Sequence, residues 1–203
     1  HGLQRGDRLL ILYGNNLEFF VDLLAAWNVG ASVVPVDNRL TPFEVENLAR
    51  TVTPKIALTD ATVPTALGDV LVALGVKLLG SSDLAADAVP SVPSARAFCA
   101  ARLDDEALIL FTSGTTGVPK GVVHTHRSLR ARWLSLRQSL GIECFRRTLC
   151  LLPTHFGHGL ICNSLFPWLF GQDLIIAPPF SPYLLMRLGP IVDEQKITFL
   201  SSV

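Results

Sequence analysis

The sequence predicts an α/β fold: a doubly wound, mainly parallel sheet flanked by helices. Three observations carry that expectation. Over residues 1–80, short apolar runs alternate strictly with amphipathic stretches of helical spacing, the pattern of parallel strands lying under covering helices. Cap and stop residues stand at the joints between them. The chain, at 203 residues, is long enough for one sizeable core or two small ones, and right-handed crossovers wind such a layer on both faces.

Residues 9–13 (LLILY) read as the first buried strand. Asn15, three residues before Glu18, reads as a helix cap, and Phe19, Phe20, Leu23, Leu24 and Trp27 form an apolar face at helical spacing. Gly30 supplies a left-handed stop, and residues 32–36 are the next strand. Thr41 then caps a helix with Pro42 at its first position, Glu44 three after the cap, and Val45, Leu48, Ala49 and Val52 continuing it. Residues 55–59 return as a strand, 64–74 as a helix and 76–79 as a strand. The stretch 81–101, rich in Ala, Ser and Pro, reads as a surface connection with a short strand near Phe98. Residues 104–106 (DDE) mark the solvated entrance to a strand at 107–111, and GVVHT at 121–125 is another. A helix follows to Gly141, its terminator, with Leu129, Trp133, Leu136 and Leu140 on one face and arginines mostly on the other. KITFLSSV at 196–203 reads as a last buried strand. The expected organisation is a βα layer at 1–80, a connection at 81–101, a strand–loop–strand–helix segment at 102–150, and the start of a second α/β subdomain at 151–203.

Composition excludes several classes of function. Seventeen basic and seventeen acidic residues give zero formal charge without blocks of one sign, which argues against a nucleic-acid surface. Cys99, Cys144, Cys150 and Cys162 show no C-x-x-C spacing, the usage of a reduced, cytoplasmic protein and not of a disulfide scaffold. The N-terminus lacks the apolar core of a signal peptide. Mean hydropathy is high, at +0.41, yet the apolar stretches 20–36 and 159–180 are broken by Asp22 and Asn28 and by Asn163, Pro167, Gln172 and Asp173, so neither reads as a membrane span. Surfaces left uncovered in an incomplete domain account for the excess.

Between two apolar strands lies LFTSGTTGVPKGVVHTH, residues 110–126, with five hydroxyl side chains and three glycines around one lysine. A P-loop is excluded, because Pro119 stands where its second glycine belongs and Gly121 where its Ser/Thr belongs. A nucleophile elbow is excluded as well, since Phe111 sits two residues before Ser113. The residue types still point to phosphate. Glycine lets successive backbone N–H groups converge on an anion. The hydroxyls of Thr112, Ser113, Thr115 and Thr116 add neutral donors, and Lys120 adds one full positive charge.

The stretch FTSGTTGVPKGV closely resembles the phosphate-binding signature of the adenylate-forming (AMP-binding) superfamily, which includes acyl-CoA synthetases. GDRLLILYGNNLEFF, the DNRLTP turn, HTHRSL and LLPTHFGHGL resemble further stretches of the same superfamily, so the likeness covers essentially the whole chain. It implies part of the large N-terminal domain of an enzyme that converts a carboxylic acid and ATP into an acyl-adenylate, and then a thioester with coenzyme A. By this resemblance Thr112, Ser113, Thr115 and Thr116 donate to the β- and γ-phosphates and Gly114 and Gly117 make the turn. Lys120 either stabilises charge or tethers the loop. The superfamily's frequent histidine after Leu-Pro falls on Phe156, flanked by His155 and His158; these three are the candidate acid-binding residues, with ordinary packing as the alternative. No catalytic residue and no metal ligand is assigned: His155, His158 and Cys162 lack further partners, and the glutamate that helps to bind Mg2+ is expected outside this chain, as are the ribose-binding aspartate and the mobile C-terminal domain. The 203 residues alone are therefore expected to be inactive. Two alternatives to coenzyme A ligation are an acyl-adenylate ligase that loads a carrier protein and a non-catalytic nucleotide-binding module.

Overall fold

The computed structural model describes residues 1–80, 100–112, 120–177 and 181–201. The chain forms two compact units, His1–Gly14 with Glu18–His126, and Asn15–Leu17 with Arg127–Val203. Among the described residues no helix is long and apolar enough to cross a membrane.

The first unit is built on a six-stranded sheet: β1 (Arg8–Ile11), β2 (Ser32–Pro35), β3 (Ile56–Thr59), β4 (Lys77–Gly80), β5 (Glu106–Thr112) and β6 (Lys120–Thr125), in the order β4-β3-β1-β2-β5-β6. The first five pair in parallel, and β6 returns antiparallel to β5. Strand alternation splits the apolar side chains between the two faces. Leu10, Val34, Ala57 and Ile109 join one core with α2 (Pro42–Val52) and α3 (Thr65–Ala73), which contribute Val45, Leu48, Ala49, Val52, Leu67 and Leu71. On the other face α1 (Leu17–Asn28) lines a cavity with Leu9, Ile56, Leu58 and Leu79. Helices on both faces of a mostly parallel sheet make the expected doubly wound layer.

Local signals account for the helix ends. Thr41 accepts from Glu44 N at 3.3 Å while the Glu44 carboxylate accepts from Thr41 N at 2.8 Å, a reciprocal capping box. Gly30 takes φ +80°, where a Cβ would also lie 2.8 Å from Arg5 Cγ. Buried Phe19, Phe20, Leu23, Ala26 and Trp27 hold α1 to its sheet, each large side chain contributing about 1.5–3 kcal/mol. Asn15 does not act as the cap of α1. The helix begins two residues later, and Asn15 adopts φ 51° with its amide engaged elsewhere.

The second unit has a three-stranded parallel sheet of β7 (Arg147–Cys150), β8 (Asp173–Ile176) and β9 (Phe199–Leu200), ordered β8-β7-β9. From β7 the chain steps to β8 on one side, then crosses to β9 on the other. Leu149, Ala177 and Leu184 form a small core with Ile175, Leu188 and Ile191, drawing on α6 (Pro182–Glu194). Phe145 stacks between Phe166 and Phe199, with centroids 5.0 and 4.2 Å away. Helix α4 (His126–Leu140) buries Leu129 and Trp133, whereas Leu140, expected on the same face, is 57% exposed. It lies at the last residue of the helix, where nothing forces a side chain inward. Between β7 and β8 run a π-helix, His158–Leu165, and the short α5 (Phe166–Leu169). The expected strand near Phe98 lies outside the described residues.

Candidate functional site

Sheet pairing places the two ends of the threonine-rich stretch. Thr112 ends β5 and Lys120 begins β6, and the two residues are partners in register. Both are exposed, and both stand at the carboxyl edge of the parallel strands, the edge at which open α/β sheets bind ligands. Gly121 has a packing reason to be glycine: a Cβ would lie 3.1 Å from Ile109 Cγ2 and 3.3 Å from the Phe111 ring. The strand can therefore lie close to its partner directly after the lysine. Ser113, Gly114, Thr115, Thr116 and Gly117 lie outside the described residues.

Ion pairs tie down the opposite end of this hairpin. Asp105 accepts from Arg5 Nε at 2.7 Å and Nη2 at 2.6 Å and from Arg102 N at 2.8 Å. These contacts hold its carboxyl well below the usual carboxylate range. Glu106 accepts from both Arg8 Nε and Nη2 at 2.9 Å. Exposure to solvent screens such pairs, so their role is to fix direction more than to add stability. Where β6 turns into α4, His126 packs edge-on to Trp27, centroids 5.2 Å apart. Its Nε2 is buried and has no hydrogen-bond partner among the described residues, and burial lowers its pKa from the ordinary value. Trp27 in turn donates to Ala107 O at 2.8 Å. Sequence reading places His126 at a helix start and the structure agrees, but nothing in the spacing reveals the burial of its imidazole.

In the second unit the chain leaving β7 carries His155, Phe156 and His158 together. Asn15 shapes this turn: its Nδ2 donates to Leu152 O at 3.2 Å and its Oδ1 accepts from Thr154 N at 3.0 Å. Phe156 N donates to Pro153 O at 3.0 Å and closes the turn. Gly159 is required next, because a Cβ there would lie 2.6 Å from Leu152 Cβ and 3.0 Å from Pro153 O. Ser164 donates to Gly159 O at 2.8 Å, and Trp133 Nε1 donates to Ile161 O at 3.0 Å, fixing the π-helix. Phe156 remains 41% exposed. His158 Nε2 lies 2.9 Å from Ser201 Oγ, just past β9. Nothing in the sequence singles out Ser201, and Asn15 reads there only as a helix cap, since both act across long separations. Among the described residues no group of three His, Cys, Asp or Glu side chains is gathered to hold a metal ion.

Comparison with known proteins places this architecture. The family model for AMP-binding enzymes matches residues 1–203. The chain belongs to the AMP-binding enzyme family. Among relatives of this AMP-binding chain, the long-chain-fatty-acid–CoA ligase FadD13 of Mycobacterium tuberculosis is 29% identical over 199 residues, covering 96% of the chain and 39% of that protein. The mitochondrial malonate–CoA ligase ACSF3 of Bos taurus is 30% identical over 181 residues, covering 89% and 31%. The hybrid PKS-NRPS synthetase pvhA of Talaromyces variabilis is 29% identical over 201 residues, covering 98% and 5%. The chain thus spans well under half the length of each. Among solved structures, ATP-bound MatB of Rhodopseudomonas palustris superposes with a TM-score of 0.78 at 28% identity, over 92% of this chain and 38% of that one. The o-succinylbenzoate CoA synthetase MenE of Bacillus subtilis, bound to its acyl-adenylate OSB-AMP, shares the fold with a TM-score of 0.84 at 24% identity, covering 100% and 50%. AMP-binding acyl-CoA ligases are therefore among the chain's relatives, and its sheet is that of their N-terminal domains.

Proposed function

We propose that the enzyme containing this chain activates a carboxylic acid with ATP and passes the acyl group to coenzyme A. A carboxylate oxygen of the acid bonds to the α-phosphorus, the bond from that phosphorus to the bridging oxygen breaks, and pyrophosphate leaves with the electron pair. The thiol sulfur then attacks the acyl carbon of the adenylate, loses its proton and displaces AMP. Catalysis of the first step is placement plus stabilisation of the charge gathering on the leaving oxygens. The observation that supports this reading is the stretch from Thr112 to Lys120, whose two ends are paired residues at the carboxyl edge of a parallel sheet.

In this reading the hydroxyls of Thr112, Ser113, Thr115 and Thr116 and the Lys120 ammonium hold the β- and γ-phosphates, and Gly114 and Gly117 let the backbone turn its N–H groups inward. Neutral donors suit a leaving pyrophosphate because they bind without trapping it as a full ion pair would. His155, Phe156 and His158 border the acid. A Mg2+ ion accompanying ATP would neutralise phosphate charge, with its protein ligand supplied by residues beyond this chain. The same holds for the groups that complete thioester formation, so the 203 residues by themselves are expected not to turn over.

The test is acid-dependent exchange of pyrophosphate into ATP by the full-length enzyme. Thr115→Ala combined with Thr116→Ala is expected to lower the exchange rate by about 100-fold or more, the scale for losing donors to a developing oxyanion, with an unchanged melting temperature. Exchange at the native rate and affinity would overturn the reading. A second reading, transfer of the acyl group to a carrier-protein thiol, is favoured by the similarity to a hybrid PKS-NRPS synthetase. Offering coenzyme A and a phosphopantetheinylated carrier protein side by side separates the two. A non-catalytic module would show no exchange at all.

A further inference from the structure

We infer that His158 and Ser201 act as one specificity element, selecting acids that carry a second polar group at the far end of the acyl chain over acids that end in a plain alkyl group. This rests on the acid-activating reading above and names the substrate class of that site.

Topology gives the location. In the β8-β7-β9 sheet the chain leaves β7 toward β8 and then crosses to β9 on the other side. The crevice outside the carboxyl ends of β7 and β9 is therefore a switch point, where parallel sheets open between diverging connections and bind ligands. His158, from the segment that follows β7, and Ser201, directly after β9, approach across that crevice to 2.9 Å. They are separated by 43 positions in sequence, one opening the π-helix that follows β7 and the other standing directly after β9.

The chemistry of the pair then limits what can lie on it. Imidazole has a second ring nitrogen, and a serine hydroxyl keeps a further lone pair, so the pair has hydrogen-bonding capacity beyond its mutual contact. His158 is exposed and Ser201 half-buried, so water can reach both. An alkyl tail laid over the crevice would displace that water and leave the polar atoms unsatisfied. A tail ending in a hydroxyl, amide or carboxylate would replace it. Nearby apolar surface suits the connecting methylenes: Phe156 is 41% and Leu200 37% exposed. Nor can His158 retreat easily. It opens the π-helix, and the next residue, Gly159, sits where even a Cβ would meet Leu152 at 2.6 Å.

The experiment measures pyrophosphate exchange by the full-length enzyme with acids matched in length: butanoate against 4-hydroxybutanoate and succinate, and octanoate against octanedioate. In at least one length series the wild-type enzyme is expected to favour the polar-tailed acid by about ten-fold or more in kcat/KM, the worth of one buried hydrogen bond. Ser201→Ala and His158→Phe should each remove most of that preference through KM, and the double variant should lose little more than either single one. Ser201→Thr, which keeps the hydroxyl, should retain the preference. A wild-type preference for the alkyl acids at both lengths, or a polar preference untouched by all three substitutions, overturns the inference and leaves acid activation standing. Absence of exchange with these acids and with a broad panel of others would instead sink the acid-activating reading, and this inference with it.

Discussion

In the first unit, the hairpin bearing Thr112 and Lys120 is placed by sheet pairing and by ion pairs at its base; in the second, His155, Phe156 and His158 are placed by single contacts reaching from distant parts of the chain. Register between β5 and β6 runs through Leu108, Ile109, Leu110, Phe111 and Thr112, so no one contact decides where the loop ends lie. The turn after β7 depends instead on one asparagine 137 residues away from Leu152, on the missing side chain of Gly159, and on one hydrogen bond to Ser201. A ladder distributes its tolerance over many bonds. A turn fixed by individual contacts has none to spare, which makes the second unit the place where small substitutions should alter function most.

The strongest challenge to this contrast is Gly159→Ala. Its new Cβ would stand 2.6 Å from Leu152 Cβ and 3.0 Å from Pro153 O. Overpacking of that kind costs about 1–3 kcal/mol, expected as a lower urea midpoint together with a raised KM for the acid. A silent Gly159→Ala would show that the turn is compliant after all. Asn15→Ala comes next, with two hydrogen bonds lost and a residue left at φ 51°. About 1–2 kcal/mol is expected, and Asn15→Gly, which tolerates that φ, should cost less. Equal losses would assign the effect to the hydrogen bonds alone.

In the first unit, Thr41→Ala removes a capping box and should cost about 1 kcal/mol without any change in KM for the acid, because α2 acts by packing on the face of the sheet. The smallest effect expected is on pH dependence at His126. Burial lowers its pKa below the ordinary 6.5, so the unfolded chain takes up a proton before the folded one does. Stability should fall as pH drops below about 6.5 and level off once pH is below the folded value. Asp105 opposes the shift electrostatically. His126→Phe should flatten that part of the urea-midpoint profile; an unchanged slope would assign the dependence to other groups.

Local signals made the first unit legible. The box at Thr41 and Glu44, the left-handed stop at Gly30, and the strand–helix alternation all operate within a few residues, and each described element there matches its expected position to within a residue or two. The threonine-rich stretch stands out in the sequence because its chemistry is contiguous, and the structure places its two ends, Thr112 and Lys120, as partners in register. Asn15 misleads because an asparagine before a helix looks like a cap whether its amide turns to the helix or to Leu152. The π-helix leaves no mark in a reading built on a 3.6-residue period, and Ser201 matters only through where β9 ends. Leu140 fits the helical face by spacing and fails by position, at a terminus where the period no longer implies burial.

The π-helix also acts as a phase setting for everything that precedes it. Its turns close on the fifth residue instead of the fourth, as the bond from Phe166 N to Ile161 O shows. Excising one residue, Cys162 for example, would let the segment rewind to the ordinary pitch and swing His158 by about 100° around the axis, away from Ser201. Such a deletion would relieve an uncommon backbone geometry, but it would also turn buried Leu160 and Ile161 out of their packing and erase the alignment that geometry maintains: a chain melting lower than before, with the His158–Ser201 contact gone.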